Sequence, residues 1–397
     1  ALIIIVLIPL AIKGIGFKRA DEIAKALGID VKSPFRIKAC LNYTLREYCD
    51  NNGNSSIDKF HLYKLLDDSL RFSKEELLYE NILVEMLAKE EIYSTSENRI
   101  ALSMLYYCEK KILDFFNIRK DNKNKKIIDN FEEYLEKKQK TLGFTLSSEQ
   151  QKAVELINSG EKTLFLIGYA GTGKSTSSRA ILELLEEIVS YDDIIAIALS
   201  GIASQRISDT TGYNASTIQS LLVKHKEKDF FPYKVILLDE ASMVNSVTFA
   251  QIISKISDDT IFIIVGDDGQ LPAIGAGNIL ADSIKYELAP ICKLTKIYRQ
   301  NENQAIAVIA NDIRKGELPN YKEEYEDFKF VDVSIGNYYS MKNSLTQNEF
   351  SDMRGENSEY ILNNILNIAS NYIQNYYDFI KEKNIGKALT LFQVITP

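Results

Sequence analysis

The sequence predicts an α/β fold for its second half, built on a parallel β-sheet, and a mostly helical first half. The sheet is predicted by short runs of β-branched and aliphatic residues that recur after residue 145, with helical stretches between them. These runs are LFLIG (164–168), IIAIAL (194–199), VILLD (235–239) and IFIIVGD (261–267). Runs that are apolar throughout are typical of parallel strands buried on both faces. Before residue 145 the apolar residues recur with helical spacing instead.

The spacing of apolar residues in the first half of the sequence predicts short helices and one hairpin. A turn at Gly14 and Gly16 precedes helical spacing over residues 17–28. Further helical stretches follow, and then a strand-like segment turns at residues 96–98. Several helices followed by a hairpin are the order of a winged helix. Residues 104–140 then predict a long charged helix with one interruption.

Composition places the chain among ordinary globular proteins. Its 397 residues are 45% hydrophobic and 26% charged, which excludes wholesale disorder and low-complexity classes. The net charge of −8 is uneven, because residues 1–140 carry 24 basic and 22 acidic side chains while the remainder carries 23 and 33. Binding to nucleic acid by bulk charge would require a basic chain. Any contact with nucleic acid must therefore be local.

The sequence argues against a zinc protein, a secreted protein and a membrane protein. The four cysteines have no C-x-x-C spacing and only two histidines exist, which argues against a zinc site. Scattered thiols suit a reducing compartment, so we expect a cytoplasmic protein. Residues 1–12 are continuously apolar but contain Pro9, and spanning a bilayer takes about 20 such residues. We expect neither a signal peptide nor a membrane partner.

A phosphate-binding loop follows the first apolar run. Residues 168–175 match the pattern G-x-x-x-x-G-K-[ST], with a predicted strand before them and a helix after them. Glycines let backbone N–H groups curl around an anion, and the helix N-terminus favours negative charge. Lys174 would contact the β- and γ-phosphates, and Ser175 would bind Mg²⁺. The predicted phosphate-site residues are Gly168, Gly171, Thr172, Gly173, Lys174, Ser175 and Thr176.

Two carboxylates follow the third apolar run. Asp239 comes at the expected carboxyl end of a strand, where ligands of open α/β sheets bind, and Glu240 follows it. We expect Asp239 to hold Mg²⁺ and Glu240 to polarise the attacking water.

Two more side chains are candidates for sensing the γ-phosphate. Gln270 follows the next predicted strand and could hydrogen-bond to the γ-phosphate. Arg299 lies further along and could stabilise charge on a transferring phosphoryl group. Each pattern is weak when taken alone.

In their order these segments resemble a RecD-like superfamily-one DNA helicase. Six segments carry the resemblance. They are LSSEQ (146–150), GYAGTGKST (168–176), ALSGIASQRISDTTGYNASTIQSLL (198–222), LLDEASMV (237–244), VGDDGQLPAIGAGNIL (265–280) and LTKIYRQ (294–300). The terminal QVITP (393–397) is similar to the strand that opens the family's next block. The resemblance implies a P-loop motor of two RecA-like lobes, ATP and Mg²⁺ as cofactors, and 5′→3′ movement on single-stranded DNA in repair or recombination.

The resemblance also assigns residues. Gln150 would be the adenine-reading glutamine, Tyr298 would stack on adenine and Arg299 would reach the γ-phosphate. Ser200 and Gly201 would line the track of the single strand.

The first half agrees with this family. IKGIGFKRADEIAKALGI (12–29) resembles the helix-hairpin-helix of the longer RecD-like helicases. There Gly14 and Gly16 would present backbone N–H groups to a DNA phosphate, with Lys18 and Arg19 beside them. Single-stranded DNA and single-strand to duplex junctions are the expected partners, and no protein partner is implied.

The resemblance divides the chain into five parts. The predicted regions are a helix-hairpin-helix region (1–53), a winged-helix-like module (54–103), a helical linker (104–144), a first RecA-like ATP-binding domain (145–290) and the start of a second, incomplete RecA-like domain (291–397). The apolar start and the VITP end lead us to expect a chain truncated at both ends, which hydrolyses nucleotide slowly.

Three departures from the family pattern lie in one segment. Ser200 replaces the usual Thr, Ser204 and Gln205 replace Ala-Lys, and Gln219 replaces His. One basic contact to the DNA strand is thereby lost.

Two other functions stay open. One is an ATP-gated DNA-binding module that unwinds nothing. The other is the helicase part of a conjugative relaxase, against which the helix-hairpin-helix argues.

Overall fold

The computed structural model describes residues 17–71, 76–96 and 98–296, with a few single positions beyond residue 300. By its internal contacts the chain divides into Ala1–Gln300 and Asn301–Pro397. The second unit, which holds most of the predicted second domain, lies almost entirely outside the described residues. Among the helices that are described, none is long and apolar enough to cross a membrane.

The first part of the structure is a helical region closed by a small antiparallel sheet. Its elements are α1 (Phe17–Ala26), α2 (Pro34–Asn52), β1 (Ile57–Asp58), α3 (Lys59–Leu70), α4 (Glu76–Ala88), β2 (Ile92–Ser96) and β3 (Arg99–Leu102). The strands pair in the order β1-β3-β2, with Ile92 opposite Leu102. The predicted hairpin is therefore present. From α2 onwards, the order of helix, strand, two helices and hairpin is the winged-helix order.

A single core joins the predicted first two regions. Ile37 and Leu41 of α2 are fully buried in the same cluster as Leu62, Leu66 and Leu83 of α3 and α4. Helix α2 therefore shares one core with α3 and α4, and among the described residues no separate core lies on either side of the boundary predicted between residues 53 and 54. The sequence pattern missed this because helical periodicity shows that a helix has a buried face but not which neighbour covers it.

The second part is an α/β domain. Its elements are α5 (Ser103–Lys120), α6 (Phe131–Leu142), α7 (Ser148–Asn158), β4 (Thr163–Gly168), α8 (Lys174–Leu185), β5 (Ile194–Ala198), α9 (Gly201–Thr211), β6 (Ala215–Thr217), α10 (Ile218–Lys224), β7 (Val235–Leu238), α11 (Ser246–Ile253), β8 (Ile261–Gly266), α12 (Ile279–Lys285) and β9 (Ile291–Leu294), with short 3₁₀ turns at Tyr191–Asp193 and Ala241–Met243. In this part of the chain the strands form one parallel sheet ordered β6-β5-β7-β8-β4-β9. The predicted parallel sheet is confirmed, and four of its strands are the four apolar runs.

Helices cover both faces of this sheet, which explains why its strands are apolar throughout. Phe116 of α5 packs on one face, against Phe165 and Phe249. Leu135 of α6 belongs to the core on the other face. Residues 104–144 were predicted to be a linker, but in the structure they supply helices to both layers of the α/β domain.

The last strand corrects a second boundary. β9 pairs in parallel with β4, with Cys292 opposite Leu166, so it belongs to the parallel sheet of the α/β domain. The boundary predicted at residue 291 therefore cuts a strand away from its own sheet. Its run of four residues, ICKL, includes a lysine and was too short and mixed to predict a strand.

Arg119 attaches α5 to the amino-terminal edge of the sheet. Its guanidinium is buried and donates from Nε to Thr163 Oγ1 at 2.9 Å, from Nη2 to the Lys162 carbonyl at 3.0 Å and from Nη1 to the Ser257 carbonyl at 3.2 Å. Nη2 also donates to the Thr260 carbonyl. Burial lowers the pKa of Arg119 to about 10, so the group stays charged at neutral pH. One side chain therefore satisfies several carbonyl groups that lead into β4 and β8.

We expect Arg119→Ala to lower the free energy of unfolding by about 3 kcal/mol, because it leaves buried carbonyl groups unpaired. Urea denaturation followed by circular dichroism measures the change. Lys120→Ala is the matched control, since Lys120 is exposed at the next position and should change stability by less than about 0.5 kcal/mol. Equal effects of the two substitutions would contradict this role for Arg119.

His225 makes stability depend on pH. Its ring is buried edge-on to Phe231 and Tyr233, and neither ring nitrogen has a hydrogen-bond partner among the described residues. Burial lowers the pKa of His225, and the nearby charges of lysines 228, 224 and 255 lower it further. The folded chain therefore holds the neutral ring.

We expect the contribution of His225 to stability to be complete above the unfolded pKa of about 6.5 and to be lost as pH falls below it. Thermal melts between neutral and mildly acidic pH measure this loss, which His225→Leu should reduce. His61→Gln is the control because His61 is exposed. A slope unchanged by His225→Leu would show that other groups cause it.

Candidate nucleotide-binding site

The carboxyl ends of three neighbouring strands bring the candidate residues together. The glycine-rich loop follows β4, the paired acids follow β7 and Gln270 lies in the loop after β8. Between them is a cavity of about 590 Å³. Predicted site residues that line it are Gly171, Gly173, Lys174, Ser175, Thr176, Ser200, Asp239, Glu240 and Gln270.

The glycine loop is shaped by close approaches and left-handed backbone. A Cβ atom at Gly168 would lie 2.5 Å from Thr172 Oγ1 and 3.0 Å from the Leu294 carbonyl oxygen, so only glycine fits. Gly171 and Gly173 have φ of 84° and 86°, a region that L residues with side chains rarely adopt. Gly173 is also the N-cap of α8. The loop therefore leads directly into a helix N-terminus, which is a favourable position for a phosphate.

Side chains hold the loop in this shape. Lys174 Nζ donates to the Gly168 carbonyl at 2.6 Å and to the Tyr169 carbonyl at 3.1 Å. Thr172 is buried, and its hydroxyl donates to the Tyr169 carbonyl at 2.8 Å. The lysine and the backbone N–H groups of the loop thus share one small concave surface.

The paired acids occupy different environments. Burial raises the pKa of Asp239 and the neighbouring Glu240 charge raises it further, while Lys174 and Arg206 oppose the shift. A carboxylate in this environment gains from a nearby cation, and carboxylate and hydroxyl oxygens are ligands that Mg²⁺ prefers. Glu240 has φ of 52°, a strained left-handed conformation for a residue with a side chain. That turn redirects the chain immediately after β7 and places Glu240 on the cavity wall.

A hydrogen bond joins the acid turn to the loop after β8. Ser242 Oγ donates to Gln270 Oε1 at 2.9 Å. Gln270 is exposed on the cavity wall and Ser242 is buried. The predicted sensor glutamine is therefore held by the segment that carries the two acids.

Gln150 has a structural role that its prediction did not include. Its side chain is buried and closes a capping box with Ser147 at the start of α7. Its Oε1 accepts from the Ser147 N–H at 2.9 Å, and its Nε2 donates to the Gly173 carbonyl at 3.5 Å. The described cavity does not include it. Adenine recognition by Gln150 stays a prediction.

The predicted DNA-binding residues are only partly described. Ser200 caps α9, its Oγ accepting from the Ala203 N–H at 3.1 Å, and it lines the nucleotide cavity. Gly201 is exposed with open space around its Cα, and Arg19 is exposed on α1. Their DNA contacts stay predictions. Outside the described residues lie Gly14, Gly16, the side chain of Lys18, Tyr298 and Arg299.

Arg206 is a site residue that the sequence analysis missed. It lines the cavity from α9, and its charge lowers the pKa of Asp239. A signal was present, because positions 203, 206 and 210 recur at helical spacing and all line the cavity.

Glycine loop, lysine, paired acids and parallel sheet together define a P-loop nucleotide-binding domain. Comparison with known families narrows this class. A model of the AAA domain matches residues 145–334, and a model of the helix-hairpin-helix domain of ATP-dependent RecD2 DNA helicases matches residues 9–56. Both matches agree with the resemblance of the ordered segments to RecD-like superfamily-one helicases.

Individual proteins of similar sequence include DNA helicases and conjugal transfer proteins. The chain is 27% identical over 329 residues to an ATP-dependent RecD2 DNA helicase of Deinococcus radiodurans, covering 79% of this chain and 45% of that protein. It is 27% identical over 205 residues to the RecD subunit of the RecBCD enzyme of Mycolicibacterium smegmatis, covering 44% and 37%. It is 31% identical over 186 residues to a probable conjugal transfer protein TraA of Sinorhizobium fredii, covering 45% and 16%. The chain thus spans less than half the length of each of these relatives.

We expect Gly168→Ala to weaken binding of a fluorescent ADP analogue by about ten-fold or more, because the added methyl group forces Thr172 or β9 to move. Fluorescence titration measures the affinity. Gly212→Ala is the matched control, since Gly212 has φ of 84° but open space around it. It should lower stability by about 1 kcal/mol through backbone strain and leave ADP affinity unchanged. Unchanged affinity in Gly168→Ala would contradict the fit of the loop.

Proposed function

We propose that this chain carries the motor of an ATP-dependent DNA helicase that moves 5′→3′ on single-stranded DNA and unwinds duplex in repair or recombination. One observation supports this most directly: Lys174, Asp239, Glu240 and Gln270 line a single cavity at the carboxyl edge of a parallel sheet. The resemblance of the ordered segments to superfamily-one helicases supports the direction of movement. The Deinococcus relative is named an ATP-dependent DNA helicase.

ATP binds through groups that line the cavity. The N–H groups between Gly171 and Ser175 receive the β-phosphate at the start of α8, and Lys174 moves from the loop carbonyls to the β- and γ-phosphates. Ser175 and Asp239 are the residues that hold Mg²⁺, which when bound neutralises phosphate charge. Arg206 adds a second cation to the lining of the cavity.

Hydrolysis then requires one proton acceptor and charge stabilisation. Glu240 accepts a proton from water as the water oxygen bonds to the γ-phosphorus. The bond from that phosphorus to the β–γ bridging oxygen breaks, and ADP leaves with the electron pair. Lys174 and Arg299 stabilise the charge on the transferring group, and Gln270 responds to the presence of the γ-phosphate.

Movement on DNA requires contacts outside the cavity. Ser200 is the N-cap of α9 and lines the nucleotide cavity, and Gly201 is the first residue of that helix, so a strand held there would lie next to the nucleotide. Gly14, Gly16, Lys18 and Arg19 hold backbone phosphates in the manner of a helix-hairpin-helix. Single-stranded DNA and single-strand to duplex junctions are the proposed partners.

A relaxase role is the weaker alternative. The alignment with the TraA relative covers 45% of this chain, whereas the alignment with the RecD2 relative covers 79%. The helix-hairpin-helix match at residues 9–56 favours the RecD-like arrangement. The remaining alternative, an ATP-gated DNA-binding module, is distinguished from a helicase by the experiment below.

We expect Glu240→Gln to lower the rate of DNA-stimulated ATP hydrolysis by about 10²-fold or more, because the proton acceptor is lost, while ADP affinity changes little. Phosphate release in the presence of single-stranded DNA measures the rate. Glu187→Gln is the control, because Glu187 is exposed and lies outside the cavity. A Glu240→Gln chain that hydrolyses ATP at the unsubstituted rate would contradict the assignment.

An unwinding assay on the full-length protein decides whether hydrolysis does mechanical work. That protein should unwind a duplex with a 5′ single-stranded tail and should not unwind one with a 3′ tail. ATP-dependent DNA binding without strand separation would favour the gated module instead.

A further inference from the structure

Glu149 holds the segment that follows the last strand of the sheet. Its carboxylate accepts from the Thr295 N–H at 2.8 Å, from the Thr295 hydroxyl at 2.5 Å and from the Lys296 N–H at 3.4 Å. Its own carbonyl accepts from the Cys292 thiol at 3.1 Å. One residue of α7 therefore contacts the end of β9 through both its side chain and its backbone.

Glu149 and Cys292 both have the protonation state that these hydrogen bonds require. The hydrogen bonds from Thr295 lower the pKa of Glu149, so the carboxylate stays ionised and its hydrogen bonds are charge-assisted. Burial raises the pKa of the Cys292 thiol to about 11, so the thiol stays protonated and can donate. Glu149 itself is half-buried.

The next residue connects the same helix terminus to the phosphate loop. Gln150 caps α7 with Ser147 and donates to the carbonyl of Gly173, the N-cap of α8. Adjacent residues on one helix turn thus contact the loop that takes the phosphates and the chain that leaves β9. That chain reaches Tyr298 two residues after Lys296.

We propose that Glu149 is a positioning residue: it fixes the direction in which the chain leaves β9 and so sets the position of Tyr298 and Arg299 relative to the phosphate loop. This inference rests on the proposed function, in which those two residues act on the nucleotide. A carboxylate that served only to hold the sheet together would affect stability instead.

The lack of tryptophan in the whole sequence provides a direct readout. Tyr298→Trp introduces a single indole three residues after Thr295. Adding Glu149→Gln should lower the steady-state fluorescence anisotropy of that indole, because an amide offers one acceptor oxygen instead of two and no charge. Thr295→Val should act in the same way, and Thr295→Ser should retain the anisotropy because it keeps the hydroxyl donor.

Glu155→Gln is the matched control on the same helix, because Glu155 pairs only with exposed Lys152 among the described contacts. It should leave the indole anisotropy unchanged. Thermal melting of each chain separates positioning from stability. An anisotropy that Glu149→Gln leaves unchanged, or that falls only together with the melting temperature, would overturn the proposal.

Kinetics without the indole provide the second readout. Glu149→Gln should lower kcat for ATP hydrolysis by about ten-fold through misplacement of Arg299, and change ADP affinity less than about two-fold because the phosphate loop is intact. In an Arg299→Ala background Glu149→Gln should have no further effect on kcat. Independent, multiplying effects would overturn the proposal. This chain is expected to hydrolyse ATP slowly, so if its turnover is too slow to measure, the anisotropy comparison alone decides the role of Glu149.

Discussion

The parallel sheet, buried on both faces, is the constraint on which the rest of the site depends. Parallel strands end at a common edge, so the carboxyl ends of β4, β7 and β8 bring the phosphate loop, the two acids and Gln270 together although about 100 residues separate them along the chain. Backbone hydrogen bonds fix the register of these strands, for example with Leu166 opposite Val265. The fixed register also fixes where the three strand ends lie relative to one another.

The helical first part is fastened to this sheet at two places. Helix α5, whose Leu105 is buried in the first core, is attached to the amino-terminal edge of the sheet by Arg119. At the opposite side the loop after β8 enters the first core: Ala276 is buried among residues of the winged-helix-like module, and the Gly277 N–H donates to the Gly53 carbonyl at 3.0 Å. The loop that holds Gln270 thus continues directly into the module that precedes the motor.

Much of the site could be predicted because its signals are local. A glycine at Gly173 is needed for a left-handed backbone, and Asp239 follows a run of four apolar residues, so spacing alone identified both. Arg206 and Glu149 were harder, because their importance comes from partners distant in sequence: Asp239 for the one and Thr295 for the other. Packing partners were beyond the reach of periodicity: α2 packs in the first core alone, whereas α5 contributes Leu105 to that core and Phe116 to the core of the sheet.

The sequence by itself determined the class of chemistry, since the order and spacing of the glycine loop, the paired acids and the sensor glutamine require only local backbone geometry and strand polarity. The tertiary structure decided how these parts are joined. In the structure β9 belongs to the parallel sheet and Gln150 caps α7. Arg206 lines the cavity, and Glu149 accepts hydrogen bonds from the residues that follow β9. Such contacts join residues up to about 150 positions apart, and no periodicity along the chain records which distant groups will meet once loops have closed.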